Sequence, residues 1–287
     1  MESVLVVCIV VNAYVVILFK LFDRYSVSLL PAIVLNYFVC VITGLLVFDR
    51  PTSFTQVLNA PWLPYSIFLG LIFISVFNLV GKTVKDFGVM VATIFHKMSL
   101  VGPAMIGILF YSETFGTIKG IGIIAAILSI YLISHPDKGY SWKDHKWFLP
   151  FGTLIGSAIL EITLFYVNIE KLADNADPLF VTAIFFNAGL FGLISLALVG
   201  KRKKIILSKN ELVGGIALGI PNFFSIYLVL YLLNQGMEGS TFFPIVNVGI
   251  LFITGLAGIF FFKEKLDRLK IWGFIAAILS ITLIAIA

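Results

Sequence analysis

The chain has 287 residues, of which 60% are hydrophobic and only 12% are charged, and its mean hydropathy is +1.07. Soluble domains carry roughly 25% charged residues, so this composition excludes an ordinary soluble protein. A net charge of +5 would favour nucleic acid as the partner of a soluble protein. Here the Lys and Arg residues lie in short loops beside apolar segments, so we expect a lipid bilayer and no nucleic acid as partner.

Ten apolar segments follow one another along the chain, each of about the length that crosses a bilayer as a helix. Their approximate bounds are 3–22, 29–48, 62–81, 88–111, 117–134, 148–168, 178–199, 212–233, 240–262 and 270–286. The links between the segments are short, and the polar stretch 135–147 separates the first five from the last five. We therefore predict an all-α membrane protein with ten transmembrane helices.

The two halves repeat each other at a constant offset of 151 residues. Residues 110–134 read FYSETFGTIKGIGIIAAILSIYLIS and residues 261–285 read FFKEKLDRLKIWGFIAAILSITLIA, with Glu113 aligned with Glu264. Because each half has five segments, the second half enters the membrane from the opposite side. This pattern predicts two inverted five-helix repeats, an arrangement common among secondary transporters.

The domain boundaries follow from the repeat. We predict a first five-helix repeat over 1–134, a linker loop over 135–147 and a second five-helix repeat over 148–287. Loops after odd-numbered segments hold 16 of the 20 Lys and Arg residues, whereas loops after even-numbered segments hold three. The positive-inside rule then puts the odd loops in the cytoplasm and both termini outside.

The repeated turns YSETFG at 111–116 and FKEKLD at 262–267, each followed by a Gly-x-x-x-Ala helix, resemble the EamA branch of the drug/metabolite transporter superfamily. The resemblance covers essentially the whole chain. It implies a multi-pass protein of the cell membrane (inner or plasma membrane) that moves small organic molecules by alternating access. It implies a cavity lined by segments 1, 3, 4, 6, 8 and 9, and amino acids or similar metabolites as exported substrates. Family members are usually drawn with both termini inside, which differs from the charge count.

Lys97 and Glu161 are the charged residues that lie well inside apolar segments, away from the segment ends. A charge in hydrocarbon costs at least about 2.5–3.5 kcal/mol, so each is expected to face a cavity or a partner. At 1.5 Å per residue the two lie roughly 12 Å and 20 Å from the same membrane face. We predict that Lys97 binds an anionic group of the substrate and that Glu161 takes an amine or a coupling proton. The alternatives are a static ion pair between segments 4 and 6, or a lysine that extends to the membrane interface.

Four further polar residues are predicted to bind substrate. His96 corresponds to Asn247 in the repeat, at matching depth in segments 4 and 9, which suits a shared site at the midplane. An imidazole also titrates near neutral pH, as a proton relay requires. Asn12 and Asn222 lie in the middle of predicted cavity helices. For these side chains the alternative is a hydrogen bond that holds two helices together.

Other residues are assigned to helix packing. The repeat-related Asn36 and Asn187 are predicted to hydrogen-bond between helices, and G-x-x-x-G motifs at 152–156 and 215–219 to allow close helix contact. Prolines are predicted to interrupt segments 4, 8 and 9, either as bending points or as fixed kinks: Pro103, Pro221 and Pro244.

The sequence has no Walker A loop, no H-E-x-x-H and no G-x-S-x-G motif, so we expect neither an enzyme nor an ATP-driven pump, and no cofactor or metal. The nearest alternative function is efflux of amphipathic drugs. From other classes, the alternatives are a non-transporting scaffold, a channel, or a membrane-embedded enzyme that uses His96, Lys97 and Glu161 as acid and base. Two equivalent halves favour a transporter, because they supply the two gates that alternating access needs.

Overall fold

In the computed structural model, residues 2–47, 57–100, 116–133, 146–172, 178–200, 208–235, 239–264 and 267–286 are described, and every regular element in them is helical. These residues form ten α-helices and one 3₁₀ turn, Met98–Leu100. The helices are α1 (Glu2–Arg24), α2 (Leu29–Val47), α3 (Leu63–Phe87), α4 (Val89–Lys97), α5 (Thr117–Ile133), α6 (Phe148–Glu170), α7 (Pro178–Gly200), α8 (Lys209–Asn234), α9 (Gly239–Phe260) and α10 (Arg268–Ala285).

Six of these helices are long and apolar enough to cross a membrane, namely α1, α2, α3, α6, α7 and α8. Shorter apolar stretches lie in α5 (Gly120–Leu132) and in α9 (Ile245–Phe260). The chain is therefore an all-α protein with the helices of a multi-pass membrane protein.

The helices match the predicted segments with three differences. First, α3 continues past its predicted end, through Lys82 and Lys85, and Lys85 is paired with Asp23 of α1. Second, the fourth segment changes from α-helix to a 3₁₀ turn at Met98, and the rest of that segment, including Pro103, lies outside the described residues. Third, α8 and α9 are not broken at Pro221 and Pro244, and a bend at either proline stays a prediction. A proline removes a single backbone hydrogen bond, and the rest of the ladder continues around it.

The largest hydrophobic core among the described residues lies between α1, α2, α3, α7 and α8. Helix α2 packs against both α7 and α8, and α3 packs against α6 and α7. At the contact of α8 with α2, a Cβ atom on Gly219 would lie 2.5 Å from Val39 Cβ and 2.8 Å from the carbonyl oxygen of Asn36. On α6, a Cβ atom on Gly156 would lie 2.7 Å from Val76 Cγ2 of α3. The prediction of close helix contact at both G-x-x-x-G motifs is confirmed.

Interhelical amide bonds support the same core. Asn222 Nδ2 of α8 donates to Asn36 Oδ1 of α2 at 3.0 Å, and both residues are fully buried. Asn187 Nδ2 of α7 lies 3.3 Å from Ser66 Oγ of α3. The prediction that Asn36 and Asn187 hydrogen-bond between helices is confirmed.

A single residue, Gly88, joins α3 to α4. Its φ of 93° lies in the region that glycine adopts at low cost, so the chain turns here without a loop. The carboxylate of Glu264, which follows α9, accepts hydrogen bonds from Val89 N at 2.7 Å and Met90 N at 3.4 Å. Lys20 Nζ of α1 lies 3.8 Å from the same carboxylate. A glutamate from the second half of the chain therefore caps α4, the helix that carries His96 and Lys97.

Three more polar contacts join helix ends on this side of the bundle. They are Lys85 Nζ to Asp23 Oδ1 at 3.2 Å, Lys146 Nζ to Asp86 Oδ2 at 3.3 Å, and Ser28 N to Glu211 Oε1 at 2.9 Å. Together with the Glu264 cap, they bring together chain segments that follow α1, α3, α5, α7 and α9. The described helix ends that flank these connections therefore lie at one end of the bundle.

Helices α5 and α10 make a reciprocal contact. Ser129 Oγ of α5 donates to the carbonyl oxygen of Gly273 at 2.8 Å, and Ser280 Oγ of α10 donates to the carbonyl oxygen of Gly122 at 2.7 Å. Ser129 and Gly122 are the residues that correspond to Ser280 and Gly273 at the offset of 151. Each helix therefore presents the same donor and the same acceptor to the other.

Candidate functional site

Lys97 and Glu161 lie among four helices, α1, α4, α6 and α9. Helix α4 packs against α6 on one side and α9 on the other, and α9 in turn packs against α1. Phe95 of α4 contacts Phe151 of α6 with ring centroids 5.2 Å apart. Phe95 also belongs to the apolar cluster that contains Leu251 of α9. These contacts fix the end of α4 at which His96 and Lys97 lie.

Lys97 is the last residue of α4 and is 7% exposed. It lies within electrostatic range of Glu161 on α6 and Cys8 on α1. Among the described residues, no carboxylate oxygen lies within 4.0 Å of its ammonium group. Lys97 and Glu161 therefore do not form a static ion pair at contact distance. A lysine that extends to the membrane interface would expose its ammonium group, whereas the Lys97 side chain is buried.

Glu161 is held by Ser99, which lies in the 3₁₀ turn after Lys97. Ser99 Oγ is 2.8 Å from Glu161 Oε2 and also contacts the carbonyl oxygen of His96. A hydroxyl has one proton, so it donates to only one of these oxygens at a time. When Glu161 is ionised, Ser99 donates to the carboxylate. When Glu161 is protonated, the carboxyl group donates to Ser99, which then donates to the carbonyl. The geometry accommodates both protonation states.

Asn247 of α9 is 4% exposed and lies between two packed faces of its helix. Val246 and Ile250 pack in the cluster that contains Cys8 of α1, whereas Leu251 packs in the cluster of α4. At about 100° per residue, Asn247 falls between these two faces. It therefore points toward the space between α1 and α4, where Lys97 also lies.

Asn12 lies one turn after Cys8 on α1, and its amide is partly engaged. Asn12 Nδ2 donates to the carbonyl oxygen of Cys8 at 2.9 Å and lies 3.3 Å from the carbonyl oxygen of Ser225 on α8. The side chain thus connects α1 to α8 while it remains on the same helix face as Cys8. Its described interhelical contact is with α8, and its role toward a substrate stays a prediction.

His96 and Asn222 are placed differently from Lys97. His96 shares a face of α4 with Val89 and Ala92, which belong to the largest hydrophobic core. Its Nδ1 is buried with no hydrogen-bond partner among the described residues. Asn222 is fully buried, and its amide donates to Asn36 between α8 and α2. That contact is one of helix packing, so a substrate role for Asn222 stays a prediction that no described contact supports.

Two serines of the site were missed by the sequence reasoning. Ser99 holds Glu161, and Ser157 lies one turn before Glu161 on α6 with its hydroxyl buried. Serine is common within apolar helices, and only the spacing of four residues between Ser157 and Glu161 could have drawn attention to it. Within the described ranges, no group of three or more His, Cys, Asp and Glu side chains is arranged to hold a metal ion.

Comparison with known proteins supports the fold and leaves the function open. No protein-family model matches the chain. An uncharacterized protein of Haemophilus influenzae is 26% identical over 285 residues, which cover 96% of this chain and 95% of that protein. A crystal structure is similar with a TM-score of 0.62 at 12% identity, covering 98% of this chain and 99% of the other. At 12% identity the likeness shows the fold alone.

Proposed function

We propose that this protein is a secondary transporter of small organic metabolites, amino acids or similar molecules, which it exports by alternating access. In this proposal all ten helices cross the cell membrane as two inverted repeats of the EamA type. The observation that carries the proposal is Lys97, a buried cation with no carboxylate at contact distance among the described residues, on a helix that faces Glu161.

The pattern of helix contacts supports two equivalent halves. If each helix is exchanged for its counterpart at the offset of 151, the contact of α2 with α8 becomes that of α7 with α3, and the contact of α1 with α9 becomes that of α6 with α4. All four contacts are present. The reciprocal bonds of Ser129 and Ser280 have the same property. Contacts of this isologous kind are what a two-fold axis between repeats produces, and alternating access requires two such halves.

The charges at the site support a substrate with both an anionic and a cationic group. An unpaired buried ammonium is costly, so Lys97 favours a ligand that brings a carboxylate. Glu161 is the complementary group for an amine. Its second possible role is to carry the coupling proton, and the two alternative hydrogen-bond arrangements of Ser99 support that role.

Ligand-induced stabilisation of the purified protein tests this proposal. A ligand that binds only the folded state raises apparent stability by mass action, about 2.7 kcal/mol at a concentration of 100 Kd. We expect at least one amino acid in a panel of amino acids, nucleotide sugars and cationic drugs to stabilise the wild type, and the effect to be lost in Lys97→Ala. Stabilisation by cationic drugs only, unchanged in Lys97→Ala, would contradict the metabolite function and favour drug efflux.

A further inference from the structure

The hydroxyl of Ser157 on α6 is buried without a hydrogen-bond partner among the described residues, and the residue is 1% exposed. Burial of an unpaired hydroxyl carries a free-energy cost. Serine and threonine in helices ordinarily avoid that cost by donating to the carbonyl oxygen four residues earlier. Ser157 does not make this bond, so its hydroxyl remains available to another group.

Neighbouring residues of the same helix show what Ser157 lacks. Thr153 Oγ1 donates to the carbonyl oxygen of Leu149 at 2.9 Å, and Thr163 Oγ1 donates to the carbonyl oxygen of Ile159 at 2.8 Å. The backbone of α6 thus accepts such bonds on both sides of Ser157. The helix backbone as a whole therefore does not explain why the Ser157 hydroxyl is unpaired, and the cause lies at this position.

Ser157 and Glu161 share one face of α6. They are separated by four residues, so their directions differ by about 40° and their Cβ atoms lie about 5–6 Å apart. On this side of the helix, Leu154 packs with the residues of α4, and the adjacent face at Gly156 meets Val76 of α3. Ser157 therefore points inward between α3 and α4, on the side of the charged residues.

We infer that Ser157 is a ligand-contacting residue of the transport site proposed above, and that Ser157 and Glu161 together bind a protonated amine that retains at least two N–H donors. Ser99 occupies Oε2 of Glu161, and no described residue donates to Oε1. An ammonium group can donate to Oε1 and to Ser157 Oγ at the same time. A trimethylammonium group has no N–H, so it would leave both acceptors unpaired in a buried site, and the site would reject it.

Cysteine labelling tests the position of Ser157 without knowledge of the substrate. The chain has two cysteines, Cys8 and Cys40, so Ser157→Cys and the control Thr153→Cys can be made in a Cys8→Ala, Cys40→Ala background. We expect 2-aminoethyl methanethiosulfonate to label Ser157→Cys at least tenfold faster than Thr153→Cys in the folded protein. Equal rates at the two positions would overturn the inference.

The trimethylammonium form of the same reagent tests recognition of the amine. For each reagent we take the rate of labelling at Ser157→Cys divided by its rate with free cysteine. We expect this ratio to be at least tenfold lower for the trimethylammonium reagent than for the primary amine. The additional change Glu161→Gln should reduce the preference for the primary amine. A preference that arose only from the smaller size of the primary amine would be unchanged by this substitution. Because Ser157→Cys lacks the hydroxyl, this comparison tests the contribution of Glu161, and a preference that Glu161→Gln leaves unchanged would contradict binding of the amine by Glu161.

Ligand binding separates this inference from the proposed function. For an amino acid that stabilises the wild type, Ser157→Ala should raise Kd about tenfold and N-trimethylation of the ligand should abolish the effect, with Thr153→Ala as control. If an amino acid is bound and transported but Ser157→Ala leaves Kd unchanged, the inference fails and the function stands. If Ser157→Cys shows the labelling described above but no amino acid in the panel is bound, the site stands and the proposed function fails.

Discussion

Replacement of Glu264 should destabilise the helix that carries the site, because its carboxylate caps α4 from another part of the chain. The first N–H groups of a helix have no partner within the helix, and an acceptor at that end also interacts favourably with the helix dipole. Here Glu264 accepts from Val89 N at 2.7 Å and more weakly from Met90 N at 3.4 Å.

The expected magnitude is about 2 kcal/mol for Glu264→Ala. Loss of a capping side chain costs about 0.5–2 kcal/mol, and a hydrogen bond to a charged group contributes about 1.5–3 kcal/mol. The short bond to Val89 thus accounts for most of the effect. The pair with Lys20, at 3.8 Å and partly exposed, adds at most about 1 kcal/mol.

The assay is the apparent melting temperature in detergent, followed by tryptophan fluorescence or retention on size exclusion. About 2 kcal/mol corresponds to a decrease of roughly 4 °C or more by the scaling of soluble domains. Glu264→Gln keeps an acceptor and should lose less, and Lys20→Gln should lose less still. If Glu264→Ala and Lys20→Gln lower the melting temperature equally, the capping role is wrong and the ion pair explains the contact.

Three further results are expected. Ser129→Ala and Ser280→Ala should each lower the free energy of unfolding by about 1 kcal/mol, and clearly unequal losses would argue against equivalent contacts between α5 and α10. Gly219→Ala should cost about 1–3 kcal/mol because its Cβ would lie 2.8 Å from a backbone oxygen, whereas Gly116→Ala, whose Cβ would meet no atom of a described residue within 4 Å, should cost little; equal thermal shifts would refute this. Glu161→Gln should remove the pH dependence of gradient-driven transport; a mutant with unchanged pH dependence would exclude Glu161 as the coupling acid.

Hydropathy predicted the positions of most helices, whereas the arrangement of the two halves as inverted repeats stays a prediction. Apolar segments of about twenty residues locate helices well, because a spanning helix must satisfy its backbone internally. The orientation that the charge asymmetry between odd and even loops predicts, with both termini outside, stays a prediction. The repeat also drew attention to Glu264, although not to its partner, because a cap between segments far apart in sequence leaves no local pattern.

The details of the site depended on contacts that the sequence does not display. Lys97 and Glu161 were identified because charges are rare in apolar segments. Ser99 and Ser157 were missed because an isolated serine in a helix usually bonds to its own backbone. Asn12 and Asn222 are alike in sequence, and only the structure shows that Asn222 is used between α2 and α8.

Transport by purified protein in proteoliposomes tests the central claim most directly. Vesicles loaded with an unlabelled amino acid that stabilises the protein would be given the radiolabelled form outside, with wild type, Lys97→Ala and a protein-free control. We expect vesicles with the wild-type protein to accumulate label by exchange and to release it chemically unchanged. Vesicles with Lys97→Ala should show no such exchange. Accumulation equal to that of protein-free vesicles for every ligand that binds, or full exchange by Lys97→Ala, would contradict a transporter built around Lys97.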